Sequence, residues 1–249
     1  MRGWWQEVSG LVLPAGCAGC GTGRAVLCAD CRSALGGSAA GRVRPAARRA
    51  GPAGLPAVHA AAPYEGAVRA VVLAHKERGA LPLAGPLGAA LAAAVALAVL
   101  RAGAGRAGEL ALVPVPSARR AVRARGHDPA RRIALAASAR LRRAGTAARV
   151  ASVLRQRRPV EDQAGLGALR RLENLSGALE VRAGGARLTA GAGIVLVDDV
   201  ITTGATLAEA ARALREAGLR VDAAAVVAAP AESFVRIRSA TRTEQKSCE

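Results

Sequence analysis

The sequence predicts an α/β fold in which a small N-terminal module precedes a parallel sheet. Apolar segments after residue 57 alternate between strand-like and helix-like patterns, which is typical of a parallel sheet flanked by helices. The run at 194–197 is continuously apolar, as in a strand buried on both faces. Two closely spaced cysteine pairs near the N-terminus indicate a separate module. A chain of 249 residues has room for one large domain and such an appendage.

The predicted organisation has four parts. A short amphipathic helix over residues 1–12, with Trp4 and Trp5 on its apolar side, opens the module. The stretch after the cysteines is rich in alanine, glycine and arginine without an apolar period, which indicates a linker. The polar C-terminus is expected to be a flexible tail, where Cys248 is incidental. The boundaries are 1–36 for the module, 37–56 for the linker, 57–230 for the main domain and 231–249 for the tail.

Within the main domain, apolar periodicity predicts the elements and proline or glycine predicts where they end. Strands are expected to be short and apolar, and helices to carry one apolar face. The expected strands are 57–63, 110–113, 150–154, 194–197 and 219–229, and the expected helices are 68–76, 83–100, 129–143 and 206–217.

Residues 80–100 form the only serious candidate for a membrane span, because they contain no charge over 21 residues. Alanine dominates the segment, and Pro82 and Pro86 lie at its start, so a buried helix is favoured. The first seven residues carry one basic and one acidic side chain and do not lead into a long apolar segment, which argues against a signal peptide. Clustered cysteines suit a reducing compartment, and the protein is predicted to be cytoplasmic.

The composition is strongly basic, with 36 basic and 18 acidic residues and a net charge of +18. Only Lys76 and Lys246 are lysines, and this excess of arginine resembles a coding bias, so we discount the charge as evidence of nucleic-acid binding. Aromatic residues make up 2% of the chain, while 51% is hydrophobic, so alanine, valine and leucine must form the core. The high apolar content excludes outright disorder, and the absence of glycine periods and sustained heptads excludes collagen and coiled coil.

The most informative motif is IVLVDDVITTGAT at 194–206, a buried strand followed by two carboxylates and a loop that opens a helix. Ligands of α/β sheets lie beyond the carboxyl ends of the strands, where Asp198 and Asp199 are expected. Hydroxyl groups, a glycine and free N–H groups at a helix start favour a phosphate. The carboxylates suit ribose hydroxyls or Mg²⁺. The phosphate-loop candidates are Thr202, Thr203, Gly204, Ala205 and Thr206.

Two other interpretations of this motif are weaker. Asp and Thr are also ordinary choices at a strand end and a helix N-cap. The loop has no lysine and therefore does not match the phosphate loop of ATPases. The full string, in its strand–loop–helix context, resembles the phosphoribosyl-pyrophosphate (PRPP) motif of the type I phosphoribosyltransferases.

Further blocks resemble the ComF family over about residues 10–229. They include Pro14 before the cysteine pairs, Tyr64-Glu65-Gly66, Lys76 before Arg78-Gly79, the segment Leu112-Val113-Pro114-Val115-Pro116-Ser117, the residues Arg119, Arg120, Arg123, Arg125 and Gly126, and later Gln163, Leu166, Arg171 and Asn174. The resemblance implies a type I phosphoribosyltransferase fold behind a small zinc-binding module.

The same resemblance implies roles for particular residues. Asp198 and Asp199 would hold the ribose and Mg²⁺, and 202–206 would cradle the 5-phosphate of PRPP. The loop from Pro116 to Arg120 would face pyrophosphate, with Mg²⁺ and arginines balancing its charge. The pyrophosphate-side candidates are Ser117, Arg119, Arg120 and Arg125.

The chain departs from the family pattern after Gly126. The family carries an aromatic residue, an asparagine and a glutamine there, whereas this chain has His127, Asp128 and Pro129. His127 is interpreted as a solvated loop residue, with substrate contact as the alternative. No residue is an evident base for the nucleophile, so turnover is left open.

Four cysteines form two CxxC pairs, Cys17/Cys20 and Cys28/Cys31, with seven residues between the pairs. This spacing predicts one tetrahedral Zn²⁺ with a complete set of protein ligands and therefore a structural role. A dithiol redox role is the alternative, and no thioredoxin-like context supports it.

Two functions follow from these patterns. The first is a phosphoribosyltransferase, or a protein that binds PRPP without turnover, whose acceptor is unknown. The second is a ComF-type accessory protein that binds single-stranded DNA, for which so few aromatic side chains offer almost no stacking platform, although arginine stacking could compensate. A homo-oligomer is also compatible with the sequence.

Overall fold

The computed structural model describes residues 16–36, 39–45, 54–103, 108–158 and 175–235. The predicted helix at 1–12, the block residues Gln163, Leu166, Arg171 and Asn174, and Cys248 lie outside these ranges. The strands are β1 (Gly41–Val43), β2 (Val58–Pro63), β3 (Leu110–Pro114), β4 (Ala148–Val150), β5 (Leu154–Gln156), β6 (Leu179–Val181), β7 (Gly193–Val200) and β8 (Ala223–Ala229). The helices are α1 (Ala29–Leu35), α2 (Gly66–Glu77), α3 (Ala84–Arg101), α4 (Arg119–Arg125), α5 (Pro129–Arg143), α6 (Gly185–Thr189) and α7 (Ala205–Glu216).

Six of these strands form one sheet in the order β1-β2-β8-β7-β3-β4. All neighbours in it are parallel except the edge strand β1, which runs antiparallel to β2. All seven residues of the central strand β8 are buried, as the continuous apolar pattern requires. The predicted α/β fold with a parallel sheet is confirmed.

Each face of the sheet carries its own hydrophobic core. On β7, Val195 and Val197 point into the core beneath α1, α2, α3 and α5, while Ile194 and Leu196 point into the core beneath α7. Small residues allow close packing in this alanine-rich interior. A Cβ placed on Gly88 of α3 would lie 2.4 Å from the Cβ of Ala136 on α5, so these two helices need a glycine where they meet.

Helix α3, with the 3₁₀ turn before it, is long and apolar enough to cross a membrane by length and composition. Half of its apolar window is buried inside the protein, where α3 packs against α5 and β8. The segment is therefore a core helix, in agreement with the prediction from its alanine content.

The structure adds strand β6 and the short helices α1, α4 and α6 to the expected elements, and the strand predicted from residue 219 begins at Ala223. Two further differences concern strand pairing. The single strand predicted at 150–154 is split, because the chain bends at 151–153 and passes from β4 in the main sheet to β5, which pairs with β6 in a separate two-stranded sheet. Within the predicted linker, Gly41–Val43 forms the edge strand β1. Val43 bridges Phe234 in the expected tail, so parts of both segments belong to the folded unit.

Candidate functional site

The two adjacent carboxylates lie near the carboxyl end of β7. Asp199 is buried, with 4% of its surface exposed, whereas Asp198 is half-buried. The N–H of Asp199 donates to Oδ1 of Asp198 over 2.8 Å, and the N–H of Val200 donates to Oδ1 of Asp199 over 2.8 Å. These bonds fix the orientation of both carboxylates while each keeps further lone pairs for another partner.

A lysine that our candidate set omitted joins this pair. Nζ of Lys76, near the end of α2, lies 2.7 Å from Oδ2 of Asp199. Only its membership in the family-like block and its rarity in a chain with two lysines mark it in the sequence. Neither signal places it beside Asp199, because the contact depends on how α2 packs against the sheet.

The two acidic groups and Lys76 perturb one another. Burial, and then the negative charge of Asp199, raise the pKa of Asp198 to about 8, although Lys76 opposes this rise. Burial favours a lower pKa for Lys76, but the charges of Asp199 and Asp198 outweigh it and the pKa is raised. Two carboxyl groups therefore share one ammonium group, and a cation bound beside them would favour the ionised form of Asp198.

The loop after β7 turns directly into α7. Gly204 occupies the N-cap position with a φ of +76° and provides no side-chain cap. A Cβ there would lie 2.9 Å from Cγ of Pro45, so the position favours glycine for both its conformation and its surroundings. The hydroxyl of Thr203 accepts a bond from the N–H of Ala205 over 3.4 Å, while Thr202 is exposed and Thr206 is half-buried. The first turn of α7 thus presents N–H groups and hydroxyls suited to an anion.

The pyrophosphate-side candidates lie on the segment after β3, the strand beside β7. Pro114 is paired with Val197, so this segment leaves the sheet at the edge where Asp198 lies. Ser117 is half-buried, and Arg119 and Arg120 are exposed at the start of α4. Arg125, at the end of α4, forms a bidentate pair with Glu77 over 2.9 and 2.8 Å. Arg125 therefore connects α4 to the helix that carries Lys76.

The interpretation of His127 as a solvated residue is wrong. The side chain is 7% exposed, and its Nε2 lies 3.1 Å from the carbonyl oxygen of His75 on α2. Its ring also contacts that of His75 edge-on, with the ring centroids 5.3 Å apart. Asp128, next to it, caps α5 by accepting from the N–H of Arg131 over 3.1 Å. The segment after Gly126 thus contributes to packing, which its polar residues do not indicate. His127 and His75 contact each other edge-on where α2 meets the chain before α5.

The four N-terminal cysteines converge on one point. Their sulfur atoms all lie within 4.8 Å of one another, and Sγ of Cys20 and Sγ of Cys28 are 3.7 Å apart. Tetrahedral Zn²⁺ with Zn–S bonds of about 2.3 Å separates its sulfurs by about 3.8 Å. The cluster is thus positioned to hold a metal ion.

Hydrogen bonds around the cluster favour the thiolate form of two of its members, Cys17 and Cys20. The N–H of Cys28 donates to Sγ of Cys17 over 3.3 Å, and this bond, against burial, lowers the pKa of Cys17 to about 6. A bond with Thr22 lowers the pKa of Cys20, whereas burial raises that of Cys31. A bound cation would favour the thiolate form of all four. Gly19 is also required, since a Cβ there would lie 2.6 Å from Sγ of Cys31.

Comparison with known proteins agrees with this geometry. Residues 134–247 match the phosphoribosyl transferase domain family. The match covers less than half of the chain but includes β7, the acidic pair and the loop into α7. Residues 134–247 are therefore similar to a phosphoribosyl transferase domain, and a four-cysteine cluster precedes them in the chain.

Two curated relatives are each 55% identical to 56 residues of this chain. They are the adenine phosphoribosyltransferases of Mycobacterium avium (strain 104) and Mycolicibacterium paratuberculosis (strain ATCC BAA-968 / K-10). The aligned part is 22% of this chain and spans about a third of each relative, 31% of its length. The likeness is thus close but local.

Proposed function

We propose that this protein binds PRPP with Mg²⁺ and transfers its phosphoribosyl group to a nitrogen atom of an acceptor, with release of pyrophosphate. The observation that carries the proposal is the arrangement at the end of β7. Two adjacent carboxyl groups that share one ammonium group lie directly before a helix N-terminus flanked by hydroxyl groups, so a site for a cation and hydroxyl groups adjoins an anion site. PRPP combines a phosphate, ribose hydroxyls and a metal-binding pyrophosphate.

In this proposal the residues mainly position the substrate and compensate its charge. Asp198, half-buried and without an ion pair among the described residues, accepts from the ribose hydroxyls. Asp199 is paired with Lys76 and contributes a carboxylate to the site. Residues 202–206 bind the 5-phosphate, and Ser117, Arg119 and Arg120 face the departing pyrophosphate.

The donor set at this edge fits Mg²⁺, which prefers one or two carboxylates together with substrate phosphates. Asp198 and Asp199 are the residues that would hold it, directly or through water. When bound, Mg²⁺ supplies positive charge that stabilises pyrophosphate as a leaving group. Arg125 has a lesser part than the sequence predicts, because it pairs with Glu77 and supports the position of α2.

The family-like blocks extend this proposal to a ComF-type protein whose cysteine cluster holds a structural Zn²⁺. Four cysteine ligands leave no open coordination position, so the ion stabilises the module and takes no part in the transfer. We further propose a cytoplasmic location, because cysteines stay reduced and available to a metal ion in a reducing compartment. The acceptor is a nitrogen nucleophile such as a nucleobase or an amine.

The first test is calorimetric titration of Mg²⁺ and PRPP into the wild type and an Asp198→Asn variant. Asparagine keeps an acceptor for the N–H of Asp199 but cannot ionise when Mg²⁺ binds. We expect PRPP affinity to fall at least tenfold. The matched control is Asp30→Asn, since Asp30 is an exposed aspartate of α1. Equal affinity in wild type and Asp198→Asn would contradict the proposal.

A second test measures pyrophosphate release from bound PRPP with nucleobases and amines as acceptors. Release that Asp198→Asn abolishes supports the transferase. If PRPP binds but no acceptor causes pyrophosphate release, the function is reduced to PRPP binding. Failure to bind PRPP, together with binding to single-stranded DNA that weakens steeply with salt, would instead favour the accessory function, because phosphate contacts release counterions.

A further inference from the structure

A cavity lies at the opposite end of the sheet from the acidic pair. It has a volume of about 720 Å³, within the range of small-molecule sites. Ala57 and Asp222, which immediately precede β2 and β8, contribute to its wall, and so does the end of α3. Because β2, β7 and β8 are parallel, this places the cavity at the amino edge of the strands, whereas Asp198 lies at the carboxyl edge.

Three nitrogen-bearing side chains meet at this cavity. Arg42 on β1 is directly opposite His59 on β2, so both side chains lie on the same face of the sheet. Ala61, two residues after His59, belongs to the core beneath α3, which identifies this as the α3 side. Arg101, the last residue of α3, also lines the cavity. The two arginines are close enough to His59 to act with burial in lowering its pKa.

A buried histidine, His59, lies in the wall of the cavity. Its side chain lines the cavity and is 2% exposed, yet its Nδ1 has no hydrogen-bond partner in the part of the chain that the structure describes. A buried polar atom without a partner is costly, and native proteins usually satisfy it.

The charges indicate the kind of ligand. Within the described ranges, neither Arg42 nor Arg101 has an ion pair, and both guanidinium groups are exposed at the cavity. Asp222 is already engaged, since its Oδ2 accepts from the N–H of Ile194 over 2.9 Å and its Oδ1 pairs with Arg220 over 2.9 Å. The net field therefore favours an anion, for which arginine is the preferred donor.

The rest of the wall is apolar. Leu97 and Ala98 of α3 provide aliphatic surface beside the arginines. From these features we propose that the cavity binds a small organic anion with an apolar body, a carboxylate or phosphate whose head lies between Arg42 and Arg101 and whose body lies against Leu97 and Ala98. The site is separate from the PRPP site and does not depend on its function.

Calorimetric titration of the full chain tests this site with three probes. AMP carries a phosphate on a flat body, 1-naphthoate carries a carboxylate on one, and inorganic phosphate has no body. We expect AMP or 1-naphthoate to bind more tightly than inorganic phosphate, and the probe that binds identifies the source of the anion. The double variant Arg42→Gln/Arg101→Gln should weaken that binding at least tenfold.

Two further variants separate a ligand site from general charge attraction. Arg143→Gln is the matched control, because Arg143 is an exposed arginine at the end of α5, as Arg101 is at the end of α3. It should leave binding unchanged. Ala102→Phe removes no charge but places a ring at the exposed rim of the cavity, and it should weaken binding.

Three results would overturn the proposal. These are no binding of AMP or 1-naphthoate, binding that survives Arg42→Gln/Arg101→Gln, and binding of inorganic phosphate equal to that of both larger probes. If AMP binds only at the phosphate loop before α7, its binding survives Arg42→Gln/Arg101→Gln, because that loop lies at the other edge of the sheet. These three results can be interpreted in the same way whether or not the protein binds PRPP.

Discussion

The cysteine cluster and the acidic pair are both candidate metal sites, but the protein assembles them in different ways. The four cysteines come from one short stretch, and backbone N–H groups within that stretch donate to their sulfur atoms. The acidic pair lies on β7, its cation Lys76 lies on α2, and the anion-binding turn precedes α7. One site is made by local sequence and the other by packing.

The difference also concerns completeness. The cysteine cluster offers four ligands, which is the full set of a structural zinc site. The acidic pair has two carboxylates against one ammonium group and keeps Asp198 half-exposed. A complete set of four ligands stabilises a module, whereas a carboxyl group at a strand end that has no ion-pair partner of its own can bind a substrate.

The largest effect is expected at the complete site. Cys17→Ser removes one of four ligands and the thiol whose pKa is lowered to about 6, so zinc should be lost and residues 16–35 should loosen. Elemental analysis should show zinc falling from about one ion per chain to nearly none, and limited proteolysis should reveal the loosening. Cys248→Ser is the matched control. Normal zinc content in Cys17→Ser would refute the site.

A smaller effect is expected when the acidic pair loses the ammonium group of Lys76. Lys76→Met leaves buried Asp199 without its partner, which should lower the free energy of unfolding by about 2 kcal/mol, less than a fully buried pair because Lys76 is partly exposed. Added Mg²⁺ should raise the melting temperature more in this variant than in the wild type, since the uncompensated charge is larger. Arg69→Met, an exposed change on the same helix, is the control. A smaller Mg²⁺ effect in Lys76→Met would show that Lys76 does not compete with a cation.

The smallest effect compares Asp198 with Glu209, a buried carboxylate that is fully paired. Glu209 accepts from the N–H of Leu179 over 2.9 Å and pairs with Arg212 over 2.7 Å. Burial tends to raise the pKa of Glu209, but the bonds from Arg212 and Leu179 outweigh it and lower the pKa. The two carboxylates should therefore affect stability with opposite dependence on pH.

Chemical denaturation without Mg²⁺ from pH 3 to 9 measures this difference. The raised pKa of Asp198 means that the native state keeps a proton that the unfolded state loses, so Asp198→Asn should gain stability over the wild type as pH rises from about 4 to 8, by on the order of 1 kcal/mol. The lowered pKa of Glu209 stabilises the wild type above its ordinary value of 4.5, so the deficit of Glu209→Gln should shrink as pH falls below that value. Parallel pH profiles for the two variants would contradict the assignment.

Much of the fold could be predicted from pattern alone. The apolar runs of β7 and β8 predict a parallel sheet because buried parallel strands have no polar face. The edge strand β1 could not be found this way, since three residues of an alanine- and arginine-rich stretch have no period and gain their pairing only from β2. The break between β4 and β5 was missed for a similar reason, because Ala151–Val153 continues the apolar run while the backbone changes sheets.

The sequence by itself determined the cysteine spacing, the strand–loop–helix motif at 194–206 and the resemblance that these carry, because each depends on residues close together in the chain. Only the tertiary structure decided that Lys76 neutralises Asp199, that Arg125 pairs with Glu77, that His127 is buried against His75, and that Arg42 and Arg101 meet at His59. These contacts join residues far apart in the chain. They depend on helix packing and strand register, which a local pattern does not specify.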